Sequence, residues 1–199
     1  MTTAMTRGQG TIERREFVAQ LLTACPEALV VTGLGSASYD VAAAGDSART
    51  FYLWGAMGAA AILGLGLALA QPSRSVLVIT GDGEQLMGLG ALATIGVQRP
   101  ANLTIVVLDN GHFGETGMQR SHTSLGTRLA DVARACNIEH VMEVSEAGVS
   151  QLAERVQAKD GSTFAQVFVS AGELPRSLPP RDGVYVKNRF RDALGFASM

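Results

Sequence analysis

Three short strings in the sequence combine glycines with hard oxygen donors: Gly33-Leu34-Gly35-Ser36, Gly81-Asp82-Gly83-Glu84-Gln85, and the run from Asp109 to Gly117. In the second, the glycines permit a tight turn with open backbone N–H groups, while Asp82 projects a carboxylate of the kind that magnesium or calcium binds. Asn110 follows 28 residues later. One helix and one strand lie between them, so a βαβ unit would bring both to the same edge of a sheet. An aspartate, an asparagine and a backbone carbonyl, completed by water and phosphate oxygens, suit Mg²⁺ on a diphosphate. A lone Gly-Asp-Gly is an ordinary turn in most proteins. Asn110 and the glycines around it are what point this one toward a metal and a phosphate.

Other chemistries fit poorly. Gly33 to Ser38 follows an apolar strand but lacks the G-x-G-x-x-G spacing of a dinucleotide site, and neither a nucleoside-triphosphate loop nor a G-x-S-x-G nucleophile turn occurs. His112, His122 and His140 have no metal-ligand spacing with Cys25 or Cys136. Two cysteines so far apart read as reduced thiols in or near a core.

The elements expected to position these strings alternate. Apolar periodicity predicts a helix over 11–25, a strand over 28–32, and a loop or short helix over 40–49 leading to a strand or turn at 51–53. A buried helix over 56–70 follows, then an apolar strand over 75–80, a helix over 86–96 and a second apolar strand over 103–108. Residues 112–126 show no apolar period and read as a long loop. Beyond it come a helix over 128–137, a strand over 140–144, a helix over 147–159 and a strand over 165–169. Such alternation predicts an α/β fold of three layers, α/β/α, around a mostly parallel sheet, with its ligand crevice beyond the strand carboxyl ends.

Composition narrows the class. The 199 residues carry 16 Lys and Arg against 18 Asp and Glu, a net charge of −2, with 47% hydrophobic and 17% charged residues. This is one ordinary domain over 1–199, with much to bury and no basic footprint for nucleic acid. So little charge suggests that part of the surface faces another subunit. The uncharged stretch from Phe51 to Ser73 is rich in Gly and Ala and runs into a strand pattern, which favours a buried helix over a membrane span. The first ten residues lack the apolar region of a signal peptide, so a cytoplasmic setting is expected. From Gly172 onward, prolines and basic residues suggest a tail that wraps over a surface, its own or a partner's, without joining the core.

Gly81-Asp82-Gly83 followed by Asp109-Asn110 resembles the signature of thiamine-diphosphate-dependent enzymes, specifically their diphosphate-binding domain. Leu53 to Gly58, the run from Asn102 to Gly111, Gly114 to Gln119 and the segment Arg181 to Gly195 resemble the sulfopyruvate and phosphonopyruvate decarboxylase branch, most of all its small or beta subunit. The resemblance covers Val30 to Gly195. It implies Asp82, the Asn110 side chain and the His112 backbone carbonyl as Mg²⁺ ligands. Gly81, Gly83 and Glu84 would lie along the diphosphate, with Gly33, Gly35 and Ser36 in a neighbouring loop and Phe113 and Gly114 completing the cofactor set. Gly55 would offer a carbonyl to the aminopyrimidine, and Met57 would be the large apolar residue that holds the cofactor bent.

His112, Glu115 and His122 are the candidate catalytic residues; with Gln119 and Arg120 they lie in or beside the loop after the metal site, where an arginine or histidine could meet a carboxylate, sulfonate or phosphonate of a small 2-oxoacid. Two departures stand out: Asp109 replaces the usual first asparagine, and Glu84 replaces a small serine, putting a negative charge near a diphosphate. The pyrimidine-activating glutamate of these enzymes belongs to a separate domain, so the resemblance implies a hetero-oligomer with an alpha subunit that supplies it. A carboligase half of the acetolactate-synthase kind, or a non-catalytic structural or regulatory subunit of the same fold, remain alternatives.

Overall fold

A computed structural model describes residues 10–145 and 148–197 of the chain. Its central strands are apolar on both faces because both faces are covered: β1 (Leu29–Thr32), β3 (Val76–Gly81), β4 (Leu103–Asp109) and β8 (Thr163–Phe168) are almost wholly buried. The short strand β2 (Thr50–Tyr52) and the less buried β7 (His140–Val144) form the two edges. All six pair in parallel, in the order β2-β1-β3-β4-β8-β7. The three-layer parallel architecture is therefore as the alternation predicts.

Side chains alternate across each strand and so feed two cores. On one face Val30, Leu77 and Ile79 pack with α1 (Arg14–Ala24), α2 (Ser36–Ala44) and α7 (Val149–Ala158). On the other, Val31, Val76 and Val78 meet α3 (Ala60–Ala70), α5 (Ala91–Gln98), α6 (Leu129–Ala135) and α8 (Gly183–Ala193). After β1 the chain crosses to β2 on one side and returns to β3 on the other. That reversal opens a crevice beyond the ends of β1 and β3, where an open α/β sheet takes its ligand.

Several boundaries differ from the periodicity reading. α2 starts at Ser36, directly after the Gly33-Leu34-Gly35 turn. The expected helix over 56–70 begins at Ala60, because Gly55 and Gly58 adopt φ of 72° and 89° and break the helical path. Asp82 opens a short helix, α4 (Asp82–Met87), where a plain turn was expected, and α5 is separate from it. The break falls where two backbones touch: a Cβ on Gly88 would lie 2.0 Å from the Gly58 carbonyl oxygen. The long loop holds a hairpin, β5 (His112–Phe113) with β6 (Gln119–Arg120), and two single-turn 3₁₀ segments. The start expected for the helix over 147–159 lies outside the described residues. The uncharged stretch divides among β2, the turn before α3 and the 11-residue α3, and no described helix is long and apolar enough to cross a membrane.

The carboxyl-terminal segment corrects the expectation of a tail outside the core. Asp182 caps α8 by accepting from the amides of Val184 and Tyr185, and Val186 and Phe190, four apart, face inward. The Phe190 ring meets Phe51 edge-on at 5.7 Å between centroids. Arg189, flanking the same face, clamps the helix to Asp46. Phe190→Ala should cost about 3–5 kcal/mol in denaturant unfolding, the range for a buried phenylalanine. A loss of only a few tenths would show that α8 is an appendage.

Candidate functional site

The site is built on strand register. Gly81 of β3 pairs with Leu108 of β4, so the next residues, Asp82 and Asp109, emerge side by side and Asn110 stands one step further on. Across the crevice, Ser36 opens α2 just beyond β1. Between them lies a cleft of about 250 Å³, with Ser36, Asp82, Gly83, Asn110 and His112 on its polar side and Met57 and Met87 on its apolar side.

Asp82 and Asp109 are 2% and 4% exposed. Ser121 donates its hydroxyl to Asp82. Thr123 Oγ1 stands 3.2 Å from Asp82 Oδ2 and 2.8 Å from Asp109 Oδ1, but it has one proton to give. Asp109 also accepts from the Gly111 amide at 2.9 Å and from Gln166 Nε2 at 2.6 Å. Among the described residues neither carboxylate has a cationic partner. Burial first, and the neighbouring Asp109 charge second, push the Asp82 pKa up to about 6, against hydrogen bonds that pull it down.

Asn110 Oδ1 accepts from the His112 amide at 2.9 Å, and the His112 ring returns the contact through Nδ1 to the Asn110 carbonyl at 2.8 Å. A carbonyl can only accept, so Nδ1 carries a proton in this contact. A dry corner with two carboxylates, an asparagine oxygen and an adjacent carbonyl has the donor set of a hard divalent cation. No cluster of three His, Cys, Asp or Glu side chains occurs among the described residues, so the asparagine and carbonyl oxygens would be needed.

Glu84, the charge that the sequence puts near the diphosphate, lines the cleft and is tied on one side. Only 4% exposed, it turns inward, and Oε2 accepts from the Leu34 amide and the Thr80 hydroxyl, both at 2.9 Å. A Cβ on Gly33 would sit 1.6 Å from that oxygen, so glycine is required there for the carboxylate to fit. Burial raises the Glu84 pKa, while the Thr80 hydroxyl and the amides of Leu34, Gly58 and Ala60 lower it.

The remaining candidates divide. Gly35 caps α2, and Gly81 and Gly114 lie in the cleft wall. Phe113 packs on Gly83 and meets His122 edge-on at 5.8 Å, which holds His122 outside the wall of the cleft. Glu115 reaches the cleft but is tied to Arg176 at 3.3 Å. Gln119 and Arg120 lie on the exposed hairpin, and Gly55 stands back from the cleft wall. Met57 is 44% exposed at the cleft mouth, in the turn before α3 and not in a buried helix. Sequence reasoning missed Ser121, Thr123 and Gln166, which no local pattern connects to Asp82, and Arg14, whose only signal is an arginine pair at a helix start.

Residues 33–172 match the family described as thiamine pyrophosphate enzyme, C-terminal TPP binding domain. The chain belongs to that family. This TPP-binding domain is 35% identical over 179 residues to the sulfopyruvate decarboxylase subunit beta of Methanothermobacter thermautotrophicus, covering 90% of this chain and 94% of that one. It is 40% identical over 179 residues to the phosphonopyruvate decarboxylase of Streptomyces viridochromogenes, covering 86% of this chain and 44% of that one. Its fold superposes with a TM-score of 0.67 on the thiamine diphosphate-dependent 4-hydroxybenzoylformate decarboxylase of Rhodococcus jostii RHA1, at 18% identity, over 87% of this chain and 35% of that one. The chain thus spans less than half of the second relative and about a third of the solved one.

A raised aspartate pKa means that the folded chain holds its proton more tightly than the unfolded chain. Folding stability from Asp82 should therefore fall as pH rises from the ordinary 3.8 to about 6. The metal-free TPP-binding domain should melt lower at about pH 7 than at about pH 5, and Asp82→Asn should flatten that slope. Thermal melts in chelator across this window provide the check. An unchanged slope in Asp82→Asn would place the dependence on another group.

Proposed function

We propose that this chain is the diphosphate-binding, beta-type subunit of a two-subunit thiamine-diphosphate-dependent 2-oxoacid decarboxylase, acting on a substrate with a second acidic group, such as a sulfonate or phosphonate. The observation that carries this reading is the pair of buried carboxylates, without a cationic partner among the described residues, beside the switch point of a TPP-binding domain. The near end-to-end match to a relative named subunit beta supports a divided enzyme. A match of 40% to a phosphonopyruvate decarboxylase supports the substrate class.

In this reading Asp82, the Asn110 side chain and the His112 carbonyl hold Mg²⁺, and Ser36 and Gly83 line the diphosphate. Asp109 stays behind the metal: its hydrogen bonds to Gln166 and the Gly111 amide fix the strand end that presents Asn110. Gly55 and Met57 lie on the approach to the mouth, where Met57 supports the bent cofactor. Bound there, thiamine diphosphate supplies an electron sink for the carbanion left when CO₂ departs from a 2-oxoacid. The chain's own residues orient the group and shield one side of it from water. The activating glutamate comes from the alpha subunit, whose pyrimidine-binding domain closes the other side.

Calorimetry on the complex reconstituted with that subunit tests the metal assignment. Asp82→Ala and Asn110→Ala should each abolish Mg²⁺-dependent retention of thiamine diphosphate while the chain still unfolds cooperatively. Wild-type affinity in either would exclude it as a ligand. Purified alone, the chain should decarboxylate no 2-oxoacid, and co-expression with the alpha subunit should restore turnover.

Met57 tests the bending role. Because it is 44% exposed in the chain, Met57→Ala should leave the melting midpoint nearly unchanged. The assembled enzyme at saturating cofactor should lose at least about tenfold in rate, or about 1.4 kcal/mol, with Met57→Leu much milder. A normal rate in Met57→Ala would assign the support to another residue.

A further inference from the structure

Arg14 is a charged group that the reading above does not use. It opens α1 and is 7% exposed, yet it forms part of the cleft wall. Its Nε donates to Asp40 Oδ2 at 2.7 Å and its Nη1 to the Gly172 carbonyl at 3.0 Å. Nη2 has no hydrogen-bond partner among the described residues. Asp40, fully buried, also accepts from Arg15 Nε at 3.1 Å, so one carboxylate is shared by two guanidinium groups and a positive charge is left over.

The cleft needs that charge. The other ionisable side chains in its wall are Asp82, Glu84, Glu115 and His112, and Arg14 is the one arginine or lysine among its described residues. An adjoining pocket of about 100 Å³ shares Arg14, Ser36 and Asn110 with the cleft. Its wall also carries Glu173, and the Glu115–Arg176 pair, which is neutral in sum. A divalent cation held by Asp82 would offset the charges of Asp82 and the neighbouring Asp109 and leave an added oxyanion uncompensated. A guanidinium already held at two of its nitrogens can meet such a group with little further ordering.

We propose that Arg14 is the counter-charge for a tetrahedral oxyanion in this cleft. The terminal phosphate of the cofactor and the second acidic group of the substrate share that chemistry. The proposal rests on the cofactor reading above.

The test is calorimetry on the complex reconstituted with the alpha subunit, with Mg²⁺, comparing wild type, Arg14→Met, Arg14→Lys and the double variant Arg14→Met with Asp40→Asn, which leaves no buried carboxylate short of a partner. One arm titrates inorganic diphosphate. The other titrates phosphonoacetate in the presence of saturating thiamine diphosphate. At least a tenfold loss of affinity in Arg14→Met and the double variant, partly recovered in Arg14→Lys, is expected. A loss in the diphosphate arm assigns the cofactor phosphate; a loss in the phosphonoacetate arm alone assigns the substrate group. Affinities within twofold of wild type in both arms, in a variant that unfolds cooperatively, would overturn the proposal and leave the cofactor reading standing. A wild-type complex that takes up neither diphosphate nor thiamine diphosphate would remove both.

Discussion

Two parallel strands ending side by side force two carboxylates into one dry corner, and much of the site follows from that constraint. The pairing of Gly81 with Leu108 leaves Asp82 and Asp109 no room to diverge. Like charges at low dielectric repel strongly, so the corner must supply donors or a cation. The protein supplies donors by folding residues 111–126 back over the strand ends, which brings Ser121 and Thr123 onto the pair. Gln166 reaches in from β8 and is itself oriented by the Ala130 amide of α6.

A second buried carboxylate works in the opposite sense, as structure. Glu84 lines the cleft, yet its Oε2 reaches the Gly33-Leu34 turn and joins the ends of β1 and β3 through Leu34 and Thr80. It thereby fixes the turn from which α2 starts. The close contact of Gly58 with Gly88 holds the Met57 turn against the end of α4. Together these contacts give the cleft one polar wall and one apolar wall, as a cofactor with a charged tail and an aromatic body requires.

The Arg14–Asp40–Arg15 cluster joins α1 to α2, and the Gly172 carbonyl adds the strap that leads toward α8. Removing one partner from such a cluster would be costly, because a buried charge would be left uncompensated. Its surplus of positive charge also sits at the end of the sheet where the acidic corner lies.

The parallel α/β fold was legible in the sequence because strands buried on both faces must be apolar throughout, and helices must alternate with them. Asp82 and Asn110 stood out in the sequence as candidates because few arrangements place Gly-Asp-Gly and Asn110 one βαβ unit apart, and the structure brings them to one cleft. Helix edges around glycines were not, since the breaks at Gly58 and Gly88 come from a contact between distant segments. The role of Glu84 was hidden for the same reason: its partners lie on another strand end, and local sequence says nothing of which way a side chain turns. α8 hid behind prolines and basic residues, although Val186 and Phe190 carried its helical spacing. Sequence by itself determined which residues have the chemistry. Only the tertiary structure decided which carboxylate faces the cleft, which is buried as a tie, and which arginine is held beside them, because charge and burial are properties of neighbours that chain order does not specify.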